Sequence, residues 1–184
     1  MPERDAPGPA VILIGPPGSG KSTVGPLVAA LLGVEFAETD GLIAARAGKP
    51  VGDIFIDDGE DAFRDLERSA ADEAIAGHRG VLALGSGSVL SQATRSLLAG
   101  QRVVYLETAF PAVAKRSGLD GPHPPIPGNP RGRLRQLLEE RRPVYADLAW
   151  LTVTTDDRDP EQVAGEIAVA IGGSRAAHSG ERSS

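Results

Sequence analysis

"AVILIGPPGSGKST", residues 10–23, decides the fold of this chain. Five apolar residues run without alternation into a glycine-rich turn. Gly15, Gly20, Lys21 and Ser22 then satisfy the spacing G-x-x-x-x-G-K-[ST] of a phosphate-binding loop. A continuous apolar run is the pattern of a strand buried on both faces, and the residues from Lys21 to Leu32 read as a helix. The stretch therefore predicts strand, loop, helix. Glycines let backbone N–H groups converge on an anion, and the helix adds the positive end of its dipole. Lys21 can reach the outer phosphates and Ser22 can ligate Mg²⁺. A tight glycine turn with a solvated Lys21 shares the letters but does not require this context. A dinucleotide fingerprint fits worse, because after Gly18 and Gly20 the third glycine position holds Thr23.

Working outward, four more short apolar runs follow: "VEFAETD" (34–40), "GVLALG" (80–85), "RVVYLE" (102–107) and "LTVTT" (151–155). Helix-like stretches lie between them, as at Glu60–Ala76, where Phe63, Leu66, Ala70, Ala74 and Ile75 recur at near-helical spacing. Strands alternating with helices imply right-handed crossovers. The expected fold is thus α/β, a three-layer sandwich with a five-stranded parallel sheet, like that of P-loop NTPases.

At 184 residues the chain suits one well-cored domain, placed at 10–171. Residues 1–9 and 172–184 ("GGSRAAHSGERSS") are expected to be disordered tails. Nineteen basic against 25 acidic residues give a net charge of −6, which argues against nucleic acid or an anionic membrane as partner. There is no cysteine, and His78, His123 and His178 lack metal-ligand spacing. The start lacks the pattern of a signal peptide, and no run approaches the roughly 18 apolar residues of a membrane span. A cytoplasmic monomer is expected.

A phosphate loop alone leaves a small-molecule kinase, a GTPase switch and a mechanical ATPase open. The acceptor side must decide. "ETD" at the end of the second run places Glu38 and Asp40 on one side of an extended chain, since strand side chains alternate. One can face Mg²⁺ and the other an acceptor hydroxyl, or both can share these tasks. The alternative is a solvated strand end, or a helix cap at Asp40 before "GLIAARAG".

Around this strand the chain resembles the shikimate kinases, of the nucleoside-monophosphate-kinase-like fold, over about residues 10–171. "GPPGSGKSTVG" is similar to that family's phosphate loop, and "ETDGLIAARAGKPVGDIFIDDGEDAFRDLE" to its acceptor-binding segment. "LALGSGSV" resembles its glycine-rich loop after the third strand, "RRPVY" its Arg-x-Pro-Leu-Tyr segment, and "DDRDP" its adenine loop. Several ordered matches are far more specific than one loop.

The resemblance implies ATP and Mg²⁺ as cofactors and shikimate as the small-molecule acceptor. ATP would be held by Gly15, Gly18, Ser19, Gly20, Lys21, Ser22 and Thr23, with Arg116 and Pro160 flanking the adenine. Asp40 would hold the acceptor's hydroxyls and take the proton of the attacking one, while Arg64 and Arg141 clamp its carboxylate. Paired guanidiniums are natural receptors for a carboxylate. Singly, each arginine could equally be a surface ion-pair partner, as Arg64 four residues after Glu60 suggests. Metal ligation would fall to Ser22, with Glu38 and Asp40 acting through water; Glu38 stands where the family has aspartate.

Two departures matter. The family's three consecutive glycines are here Gly85, Ser86 and Gly87; if the middle position uses positive φ or brings its N–H close to the acceptor, serine strains the turn or crowds the site. It could equally donate a new hydrogen bond. A serine hydrolase is not supported, because the G-x-S-x-G spacing is missing.

The second departure lies in a lid expected at about 117–130, "SGLDGPHPPIPGN" and Pro130, where His123 occupies the position of the family's phosphate-reaching arginine. Comparable arginines contribute about 10³–10⁵ in rate. Arg131, Arg133 and Arg142, or a protonated His123, are the candidate replacements. The reading is ATP-dependent phosphorylation of shikimate to shikimate 3-phosphate. Its alternatives are a kinase for another polyhydroxy carboxylate and a catalytically weak regulatory paralogue.

Overall fold

The computed structural model describes residues 8–116 and 128–179, with side chains through residue 172. Five parallel strands form one sheet in the order β2-β3-β1-β4-β5: β1 (Val11–Ile14), β2 (Phe36–Glu38), β3 (Val81–Ala83), β4 (Val103–Glu107) and β5 (Leu151–Thr154). Ile12 of β1 pairs with Leu82 on one side and Val103 on the other. The first strand is thus central, as its unbroken apolar run requires.

Alternation along β1 divides the core. Val11 and Leu13 face a cluster with Val24 and Val28 of α1 (Lys21–Leu32) and Val163 and Ile167 of α8 (Pro160–Ser179). Ile12 and Ile14 face the other way, onto Ala71 and Ile75 of α4 (Gly59–Gly77) and Tyr145 of α7 (Pro130–Leu148). The three expected layers are present. A separate small core of Ile43, Ile54, Phe63 and Ala70 joins α4 to α2 (Thr39–Ala47) and α3 (Val51–Asp57). It forms a lobe beside the C-terminal end of β2. Two short helices, α5 (Gln92–Leu98) and α6 (Phe110–Arg116), complete the chain order.

Two expectations need correction. The second run does not stay extended to Asp40: β2 ends at Glu38 and α2 begins at Thr39, so Asp40 sits in the first helical turn. The turn is set from a distance, because the buried Thr39 Oγ1 accepts the N–H of Gly85 at 2.8 Å. Nor does helical structure stop at Gly172. Helix α8 runs on to Ser179, and Gly172 and Gly173 weaken a helix without ending it. Among the described residues no helix is long and apolar enough to cross a membrane.

Candidate active site

The phosphate loop closes β1 with Gly15, Gly18 and Gly20 at φ 154°, 75° and 97°, conformations that L side chains rarely adopt. Gly20 caps α1, and the helix therefore opens towards a cavity of about 440 Å³ at the C-terminal end of the sheet. Parallel sheets place their ligand sites at this end. Lys21 donates to the carbonyls of Gly15 (2.8 Å) and Pro16 (3.1 Å), folded back over its own loop. Burial lowers its pKa to about 8, with Arg141 adding to the shift and Asp40 and Glu38 opposing it.

Across the cavity the two acids have different neighbours. The Ser22 hydroxyl donates to Glu38, whereas Asp40 points towards Gly85, where an added Cβ would lie 3.1 Å from its Oδ1. Burial raises the pKa of Asp40, and the negative Glu38 and Glu67 raise it further against the pull of Lys21. A carboxylate tuned upward this way is better matched to accepting a hydroxyl proton near neutrality.

Arg64 and Arg141 converge on the turn 85–87 from opposite elements. Arg141 Nη1 donates to the Ser86 carbonyl at 3.2 Å, and a Cβ on Gly87 would come within 2.5 Å of Arg64 Nη1. Two guanidiniums beside a backbone turn, facing a carboxylate, can grip an acid that also carries hydroxyls.

The family model for shikimate kinase matches residues 17–172. A shikimate kinase of Thermobifida fusca (strain YX) is 55% identical over 160 residues, covering 87% of this chain and 93% of that protein. One from Salinispora arenicola (strain CNS-205) is 52% identical over 163 residues, 89% of this chain and 98% of the other. Among solved structures, the shikimate kinase from Acinetobacter baumannii in complex with shikimate superposes with a TM-score of 0.78 at 34% identity, covering 89% of this chain and 92% of that one.

The chain belongs to the shikimate kinase family.

Most site residues expected from the family pattern share the one cavity. Gly18, Gly20, Lys21, Ser22, Thr23, Glu38, Asp40, Gly85, Ser86 and Arg116 line it. Gly87 closes the turn at 85–87, and Arg64 and Arg141 stand just behind it. Arg116 Nη1 donates to the Gly18 carbonyl (2.9 Å) and to Thr155 Oγ1 (3.2 Å), and its Nη2 donates to the Thr155 carbonyl (3.1 Å). It thereby ties α6 to the phosphate loop and to the loop after β5. Pro160 opens α8 five residues beyond Thr155 and does not line the cavity. Ser19 is wholly buried: its N–H bonds the Pro16 carbonyl and its hydroxyl, packed below Gly15, has no hydrogen-bond partner among the described residues.

The departures characteristic of this chain resolve unequally. Ser86 causes no backbone strain, since Asp157 is the one non-glycine residue with positive φ among those described. Crowding restricts its neighbours instead: a Cβ on Gly85 would lie 2.8 Å from Glu67 Oε1. His123 and residues 117–127 of the expected lid lie outside the described residues, and Pro130 already belongs to α7. Of the replacement cations, Arg131 sits 5.4 Å from the Phe110 ring and Arg142 is 4.0 Å from Glu107. Arg133 lies beside Gly128. None of the three lines the cavity.

Sequence reasoning passed over Glu67. Its side chain is 5% exposed and its Oε2 accepts Arg64 Nη1 at 2.7 Å. The signal was available: Glu67 interrupts the buried stripe Phe63, Ala70, Ala71, Ala74 of α4, where an unpaired acid is costly. Tyr145, 1% exposed, was likewise missed as a partner of the Ser86 carbonyl.

Proposed function

We propose that the protein transfers the γ-phosphoryl group of ATP to a hydroxyl of shikimate, giving shikimate 3-phosphate and ADP. The observation that carries this reading is the convergence of Arg64 and Arg141 on the turn that faces Asp40, across one cavity from Lys21 and Ser22. The acid would be held by its carboxylate between the guanidiniums. Asp40 would then meet the ring hydroxyls, accept the proton as the hydroxyl oxygen attacks the γ-phosphorus, and orient that oxygen in line with the departing ADP. Lys21 would leave the carbonyls of Gly15 and Pro16 for the phosphates, whose negative charge favours its protonated form. Arg116 would give up bonds to Thr155 and Gly18 to lie against the adenine, with Pro160 on the other face.

Mg²⁺ fits the donors present. Ser22 and Glu38 form an adjacent hydroxyl–carboxylate pair, and among the described residues no cluster of three or more His, Cys, Asp or Glu forms a metal cage. One or two oxygen donors completed by water and phosphate is the coordination Mg²⁺ favours, and the ion would neutralise the phosphates. We further read the protein as a cytoplasmic monomer.

A coupled ADP-release assay with Mg-ATP tests the function. Turnover that depends on shikimate is expected; ADP release indifferent to shikimate removes the reading.

A further inference from the structure

Ser86 is the position in its turn at which a side chain fits. A Cβ on Gly85 or Gly87 would collide with Glu67 or Arg64, at 2.8 and 2.5 Å, whereas Ser86 lines the cavity without adopting positive φ. Its carbonyl accepts two hydrogen bonds, from Arg141 Nη1 (3.2 Å) and from the Tyr145 hydroxyl (2.8 Å). Tyr145 is buried and stacked on Tyr105, with ring centroids 5.2 Å apart, so the carbonyl is fixed from the core side. The Ser86 hydroxyl lies 3.5 Å from the same Arg141 nitrogen, at the outer limit of a hydrogen bond.

A guanidinium is a planar fork of five donors. Fastening one nitrogen at two oxygens of a single residue restricts rotation of the whole plane, and the remaining donors keep a fixed heading. A lone glycine carbonyl would hold the fork at one point only. We propose that Ser86 is a positioning residue: its hydroxyl orients Arg141 towards the acceptor's carboxylate and sharpens the preference for acids over neutral polyols of the same ring. The inference rests on the proposed function above, in which that carboxylate lies between Arg64 and Arg141.

The test is steady-state kinetics of the wild type, Ser86→Ala and Ser86→Thr with Mg-ATP and two acceptors: shikimate, and the analogue whose carboxylate is reduced to a hydroxymethyl group. One long hydrogen bond to a charged group corresponds to about a 3–10-fold change. Ser86→Ala should raise KM for shikimate by about that factor, with kcat and KM for ATP within about twofold. Ser86→Thr, which keeps a hydroxyl, should restore the wild-type KM. For the neutral analogue, wild type and Ser86→Ala should have equal kcat/KM.

Equal losses on both acceptors would show that Ser86 merely shapes the loop, and no loss on shikimate would show that its hydroxyl does nothing; either overturns the inference. A wild type inactive on shikimate overturns the functional reading, and this inference falls with it. An active wild type with an indifferent Ser86→Ala overturns the inference alone. Thermal unfolding of each variant separates these results from a folding defect, since a misfolded protein loses kcat on both acceptors and melts early.

Discussion

Glu67 holds Arg64 from inside the protein. Its Oε2 accepts Nη1 at 2.7 Å, and its side chain is 5% exposed against 39% for the arginine. On the outer side Glu60 stands 3.6 Å from Nη2, and the rings of Phe55 and Phe63 flank the guanidinium at 6.0 and 5.4 Å. The arginine is thus fixed by charge below and by aromatic faces beside it. Glu67 has a second effect, because its charge helps to raise the pKa of Asp40.

Glu67→Gln separates the two roles, since an amide keeps the shape and loses the charge. Weakening a charged hydrogen bond to Arg64 should raise KM for shikimate about tenfold. The sign of the pH effect is also fixed. With one neighbouring negative charge gone, Asp40 ionises at lower pH, so the acid limb of the kcat profile should move to lower pH. An unmoved limb alongside a raised KM would confine Glu67 to holding Arg64.

The turn itself supplies a second prediction. In Gly85→Ala the new methyl group would press on Glu67 Oε1 (2.8 Å) and Asp40 Oδ1 (3.1 Å); in Gly87→Ala it would press on Arg64 Nη1 (2.5 Å). Neither glycine has positive φ, so the backbone accommodates alanine and the cost falls on the acceptor groups. Both variants should keep their nucleotide affinity and lose kcat/KM for shikimate by tenfold or more, a displacement of about 1 Å being enough. Calorimetric titration with ADP alongside the kinetics checks this, and a parallel loss of ADP binding would contradict it.

How much of this was legible beforehand follows from whether each signal is local. The strand, glycine turn and helix at 10–23 are written in adjacent letters, and the sandwich follows from repeating such units. The convergence of Arg64 and Arg141 on one turn was legible through the family pattern, although they lie 77 positions apart in the numbering. The start of α2 at Thr39 was not, because the bond that sets it comes from Gly85, in the loop that follows β3. Glu38 and Asp40 do face different neighbours, but through a helix turn and not through strand alternation. The C-terminal part of α8 was misjudged on Gly172 and Gly173, where local propensity understates what the preceding helix can carry.

Lys21 predicts behaviour on the alkaline side. Burial brings its pKa down to about 8, so in the free enzyme the ammonium is lost as the pH rises through that value. Since kcat/KM reports the free enzyme, kcat/KM for ATP should fall above about pH 8, while kcat holds to higher pH because bound phosphates favour the charged form. Rate measurements from pH 6 to 10 at fixed ionic strength decide the point. A kcat/KM for ATP that stays level to pH 10 would mean that Lys21 keeps its proton throughout.

Glu38 gives the last prediction, on the metal. The Ser22 hydroxyl donates a hydrogen bond to this carboxylate, which leaves the lone pairs of its oxygen free for a cation. The glutamate side chain reaches that hydroxyl directly. Removing it in Glu38→Ala leaves Ser22 unoriented, and loss of such a supporting group costs about 10–100-fold in metal affinity. Glu38→Asp withdraws the carboxylate by one methylene and should cost less, since a bridging water can span the gap. The measurement is Mg²⁺ titration of a complex with a non-hydrolysable ATP analogue, followed by calorimetry, with metal-free analogue binding as the control. The expected order of half-saturating Mg²⁺ is wild type, then Glu38→Asp, then Glu38→Ala. Identical values for all three would mean that the metal is held by Ser22 and the phosphates without help from Glu38.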